Sequence, residues 1–117
     1  MTLPIGQTDY SAAARAALRR HRSVRDHFQP DLFAEPALEA LLQMFIAQEE
    51  GLRLSLLALS RECSVSESTG LRWITRLEAL GYCERVADHQ DHRRSWIVMT
   101  PDGAARMRAW LDVQPRS

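Results

Sequence analysis

Between Glu67 and Leu80 the hydroxyl and guanidinium side chains keep to one side of a helical wheel. With Ile74 at the centre of the inward side, Gly70, Leu77 and Gly81 turn inward, while Ser68, Thr69, Arg72, Thr75 and Arg76 turn outward. A helix fits the major groove of DNA, where an arginine bonds O6 and N7 of guanine together and Ser or Thr reaches a phosphate or a base edge. The same face would be an ordinary solvated surface if its arginines pair with Glu78 or other acids. A second polar group, Asp88-His89-Gln90-Asp91-His92-Arg93-Arg94, lies between two short apolar runs. Its two histidines flank Asp91, but a solvated loop lacks the outer partners that orient metal ligands, and no metal is expected there. No Ser/His/Asp set, glycine-rich phosphate loop or buried carboxylate pair stands out. The sequence therefore does not read as an enzyme and implies no cofactor.

The elements that must position these residues follow from periodicity and caps. Asp9 precedes an Ala- and Arg-rich run without Gly or Pro, which predicts a first helix from Tyr10 to Phe28. Prolines at 30 and 36 break the next stretch, and Pro36 suits the first position of a second helix. That helix carries an apolar face of Leu38, Leu41, Leu42, Phe45 and Ile46 and ends at Gly51. After an extended Leu52-Arg53-Leu54, Ser55 caps a short helix that ends near Cys63. Ser64-Val65-Ser66 makes a turn, Ser66 caps the helix from Glu67 to Leu80, and Gly81 stops it. Cys83 to Ala87 and Ser95 to Met99 predict a β-hairpin, and Thr100-Pro101 starts a last helix reaching Val113. The expected class is mainly α with a small β-hairpin, α+β: a winged helix-turn-helix with an N-terminal helical extension. Residues 1–36 would be that extension and its linker, 37–114 the winged domain and 115–117 a disordered tail.

Composition narrows the function. The chain has 117 residues, 45% of them hydrophobic, enough for one core of moderate size. No apolar run is long enough to span a bilayer, and Met1 to Tyr10 lacks the pattern of a secretory signal, so a cytoplasmic protein is expected. Net charge is zero, an unusual footprint for a nucleic-acid partner. The charges are segregated, however: Arg15 to Arg25 holds five arginines and no acid, and Asp31 to Glu50 holds five acids and no base. Cys63 and Cys83 have no CxxC or Cys/His spacing, which argues against structural zinc. Buried inert thiols are expected, with a redox-sensing pair as the alternative.

The stretch from Leu54 to Ala105 resembles the MarR-type winged-helix repressors. The residues that carry the likeness are Leu54-Ser55-Leu56-Leu57-Ala58-Leu59, Val65-Ser66, Arg72, Arg76-Leu77-Glu78, Gly81-Tyr82-Cys83-Glu84-Arg85, Asp88 through Arg93, and Met99-Thr100-Pro101-Asp102-Gly103. The resemblance implies that Arg93 enters the minor groove and that Asp91 holds its guanidinium. A narrow minor groove concentrates negative potential and rewards an inserted arginine. The alternative is a surface ion pair on a mobile turn. Gly70, Leu71 and His89 depart from the family pattern. The expected DNA contacts are Ser55, Ser66, Ser68, Thr69, Arg72, Thr75, Arg76, Asp91, Arg93 and Arg94, and the expected partner is double-stranded DNA, bound by a transcriptional repressor. The competing reading is a winged helix used only to bind proteins. No residue pattern identifies a small-molecule effector.

The chain ends at Ser117, short of the long C-terminal helix through which the resembled family dimerises. A homodimer through the N-terminal helix is therefore expected. Tyr10, Ala14, Ala17, His21, Val24 and Phe28 keep the four-three spacing of a coiled-coil seam, and the alanines would admit a close partner. The alternative is that this stripe packs on Leu38, Leu42 and Phe45 of its own domain.

Overall fold

Asp9 accepts the Ala12 N–H at 3.1 Å through its side chain and starts α1, Tyr10–Ser23. The computed structural model describes residues 9–28, 36–63 and 65–115. The expected turn residue Ser64, most of the proline-broken linker and the last two residues of the expected tail lie outside the described residues. α1 is shorter than its periodicity predicts. The Ser23 hydroxyl donates to the Arg20 carbonyl at 2.8 Å, and the chain tightens into a 3-10 turn at Val24–Asp26. A serine hydroxyl that takes a helix carbonyl competes with the backbone ladder. Phe28 thus falls off the stripe and is 60% exposed.

The rest of the expected seam faces inward, which corrects the dimer reading. Ala14 and Ala17 are buried in the core, and Tyr10 meets Phe45 edge-on at 6.3 Å. His21 Nε2 lies 3.8 Å from Glu39, a carboxylate buried on the next helix that also faces Arg22 at 3.7 Å. Val24 is half-buried. The alanines do permit close approach, but the helix that approaches is α2, Ala37–Glu49, of the same chain. α2 buries Glu39, Ala40, Leu42, Met44, Phe45 and Ile46. Its burial extends well round its circumference, so it is the central helix rather than one with a single apolar face.

Gly51 takes φ +69° and turns the chain into an extended stretch whose Leu54 carbonyl accepts the Ile97 N–H at 2.9 Å. Ser55 then forms a bridge to Trp96 and caps α3, Leu56–Glu62. Ser66 caps α4, Glu67–Ala79, and Gly81 at φ +84° ends it. Gly81 is exposed, not turned inward as the wheel suggests, because it lies past the last helical turn. The strands β1, Cys83–Ala87, and β2, Ser95–Met99, pair antiparallel from Cys83↔Met99 to Ala87↔Ser95. Thr100 caps α5, Pro101–Asp112, accepting the Gly103 N–H at 3.0 Å and donating to the Gly81 carbonyl at 2.6 Å.

Leu42, Phe45, Leu59, Ile74, Leu77, Cys83, Ile97 and Met107 join in one core with Ala14 and Ala17 of α1. Two glycines mark where elements meet too closely for a side chain. A Cβ on Gly70 would lie 2.8 Å from the Ser60 carbonyl oxygen of α3, and one on Gly103 would collide with the Tyr82 carbonyl oxygen. α3 and α4 thus cross at backbone contact, which accounts for the glycine at position 70, one of the departures from the MarR pattern.

Candidate nucleic-acid interface

The outer face of α4 is built as its wheel predicts. Gly70, Ile74 and Leu77 are buried, Ser68, Arg72, Thr75 and Arg76 are exposed, and Thr69 is half-buried. Arg72 and Arg76 pair with no acid among the described residues. The Arg76 guanidinium carbon lies 5.5 Å from the centre of the Trp73 ring, a cation–π contact that steadies the head of the side chain. Glu67 is engaged by Arg61 at 3.2 Å and Glu78 by Arg85 at 3.1 Å. The acids that could have neutralised α4 are therefore directed elsewhere.

The hydroxyls are less free. Ser66 Oγ accepts the Thr69 N–H at 3.3 Å and donates to Thr69 Oγ1 at 2.9 Å, with Ser68 Oγ at 3.4 Å. Ser55 Oγ accepts the Ala58 N–H at 3.1 Å. Thr75 Oγ1 donates to the Leu71 carbonyl at 2.9 Å and accepts from Arg85 at 2.8 Å. Sequence reasoning missed this Arg85 clamp between β1 and α4. Strand alternation could have found it: with Cys83 inward, Arg85 falls on the same face, toward α4.

On the hairpin, Asp91 Oδ1 accepts both the Arg93 N–H at 3.0 Å and its Nε–H at 3.2 Å, while the Arg93 side chain is 91% exposed. The arginine is aimed but not covered. Arg94 differs: its Nε donates to Asp88 at 2.8 Å, and its guanidinium lies 4.6 Å from the centre of the Trp96 ring. Asp88 is buried, and the Gln90 N–H, followed by Arg94, holds its carboxyl below the usual carboxylate range. A trench of about 620 Å³ runs between the start of α3 and the hairpin, lined by Ser55, Leu57, Asp91 and Arg93 with Leu71 of α4. Of the expected contacts, Ser55, Asp91, Arg93 and Arg94 line this trench and Ser68, Arg72, Thr75 and Arg76 are exposed on α4, with Thr75 and Arg94 already bonded within the protein.

Both cysteines are free and buried. Burial, followed by the Glu78 charge, pushes the Cys83 thiol up to about 11, and a thiol so placed is a poor nucleophile. Among the described residues no helix is long and apolar enough to cross a membrane.

No protein-family model and no curated protein matches the sequence. Solved structures do. The chain is similar to S. aureus MepR in complex with DNA, at 21% identity over 92% of this chain and 77% of that one, with a TM-score of 0.57. It is similar to a transcriptional regulator of Thermotoga maritima, at 25% identity over 88% of this chain and 62% of that one, with a TM-score of 0.53. A protein of Archaeoglobus fulgidus is matched over 99% of its length and 81% of this chain, at 16% identity and a TM-score of 0.59. Five α-helices among the described residues, an antiparallel hairpin after the fourth and these likenesses agree: the chain has a winged helix-turn-helix fold, similar to that of solved MarR-type regulators.

Proposed function

We propose that the protein is a sequence-specific, double-stranded-DNA-binding transcriptional regulator, a cytoplasmic repressor rather than an enzyme. The observation that carries this reading is the pair Arg72 and Arg76, exposed on α4 and paired with no acid among the described residues, together with the exposed Arg93 on the hairpin. α4 would read the major groove, with Arg72 bidentate to guanine, and Arg93 the minor groove. The shared fold of a MepR–DNA complex supports it. Two copies would bind as a homodimer, since helix-turn-helix proteins gain affinity from paired half-sites about one turn apart. As the Tyr10 stripe is occupied by α2, the partner surface is another one.

The test is a gel shift on the DNA upstream of its own gene at two salt concentrations, beside a shuffled duplex. Preferential and salt-sensitive retardation of the upstream fragment is expected. Equal weak binding to both duplexes, or none, overturns the reading. One observation favours a protein-binding module instead: Leu52, Val86 and Val98 are exposed around Trp96 on the outer face of the hairpin. An apolar outer face on a two-stranded sheet departs from the usual alternation. On that reading the gel shift is blank.

A further inference from the structure

Asp88 ties the two ends of the hairpin tip together. One carboxylate oxygen accepts the Gln90 N–H at 2.9 Å, and the other accepts from Arg94 Nε at 2.8 Å. The Asp88 N–H donates to the Arg94 carbonyl at 3.2 Å, and the Arg94 N–H to the Asp91 carbonyl at 3.0 Å. The Arg94 guanidinium also stacks on Trp96, and Arg53 from the stretch before α3 lies 5.5 Å from the centre of the same ring. The neighbouring Arg93 has only the shallow Asp91 bond and projects into solvent. Two adjacent arginines thus differ in exposure, 91% for the Arg93 side chain against 49% for Arg94, and in what holds them.

On the DNA reading above, we propose that Arg94, Asp88 and Trp96 are positioning residues: they form a strut that sets the direction in which Arg93 meets DNA, and Arg94 makes no nucleic-acid contact. The Arg94 side chain is 49% exposed, but to turn its guanidinium onto a phosphate it would have to loosen both its Nε bond to the buried Asp88 and its stacking on Trp96, weakening the hold on the Asp88 charge. The tip from 88 to 94 has neither glycine nor proline, so its shape rests on these bonds rather than on intrinsic turn residues. A guanidinium suits the post because its plane stacks on an aromatic face while its edge bonds a carboxylate. This removes Arg94 from the contacts expected from sequence.

The test uses the intact chain in two measurements: amide hydrogen exchange without DNA, and binding to a random-sequence duplex pool over a salt series. Arg94→Ala is expected to quicken exchange across 89–93 on the order of tenfold. It should weaken duplex binding about as much as Arg93→Ala does, on the order of tenfold. Arg93→Ala should lower the steepness of log K against log salt by about one. Adding Arg94→Ala to it should change neither slope nor affinity further, because both act through one side chain. Asp88→Asn should weaken binding, and Arg94→Lys should not restore it, because an ammonium lacks the stacking plane. A second drop in slope in the double variant, tighter binding by Asp88→Asn, or full binding by Arg94→Lys makes Arg94 a phosphate contact and overturns the strut. Unchanged exchange in Arg94→Ala overturns it as well. A parent that binds no duplex overturns the DNA reading, and with it the strut's purpose, while exchange still reports whether the strut holds the tip.

Discussion

Arg72 and Arg76 differ in what surrounds them, and so in what their loss should do. Arg72 is exposed on the outer face of α4 with no acid partner among the described residues, whereas Arg76 leans on Trp73. Arg72→Ala is expected to cost about 1–3 kcal/mol on the preferred duplex and to relax preference at one base pair, because a bidentate guanine contact would be lost. Competition between the preferred duplex and single-position variants measures it, and equal weakening on all of them would reduce Arg72 to a phosphate contact. Gly70→Ala places a methyl against the Ser60 backbone, where neither helix has a flexible end to yield. A loss of about 1–3 kcal/mol in urea denaturation is expected. The caps Ser55, Ser66 and Thr100 were legible in the sequence because a cap is settled within three residues of itself. Thr75 and Arg94 were not legible as already bonded, since their partners arrive from across the hairpin.

At the scale of elements, the capped helix starts, the strand bounds and the stop at Gly81 follow from local pattern, whereas α2 begins one residue after Pro36 and the end of α1 is not legible. The four-three spacing runs on to Phe28, but Ser23 turns its hydroxyl onto the backbone and closes the helix early. Thr100 couples two elements, capping α5 and bonding the Gly81 carbonyl. Thr100→Ala should therefore lower stability by about 1 kcal/mol or somewhat more, read from the urea midpoint. The hairpin tip carries a pH dependence of defined sign. The Asp88 carboxyl is held below its ordinary range by the Gln90 N–H and by Arg94. Its contribution is complete above the ordinary carboxylate pKa and is lost as pH falls through the lowered one. Once the intrinsic pH dependence of amide exchange is divided out, protection at 89–93 should fall in that acid window, and Asp88→Asn should remove that fall.

For the whole molecule, the sequence separates an N-terminal extension from a winged domain, while the structure lodges Ala14 and Ala17 in the core that holds Leu42 and Phe45. A stripe of alanines carries no mark of which helix will cover it, so a seam between copies and a seam within one copy read alike. Leu42→Ala should cost about 2–5 kcal/mol and loosen α1 with the rest of the fold, in one transition whether followed by circular dichroism or by tryptophan fluorescence. Two separate transitions would show that α1 folds on its own. The bridge between Ser55 and Trp96, with the Leu54 carbonyl on the Ile97 amide, has a consequence for the duplex itself. It welds the start of α3 to the second strand of the hairpin, and α3 meets α4 at Gly70, so α4 and the hairpin keep one spacing, like the jaws of a locked calliper. On the DNA reading, such a protein gauges the interval between neighbouring grooves as well as their chemistry. A duplex unwound by an intercalating dye should then be rejected even when every base it presents is correct.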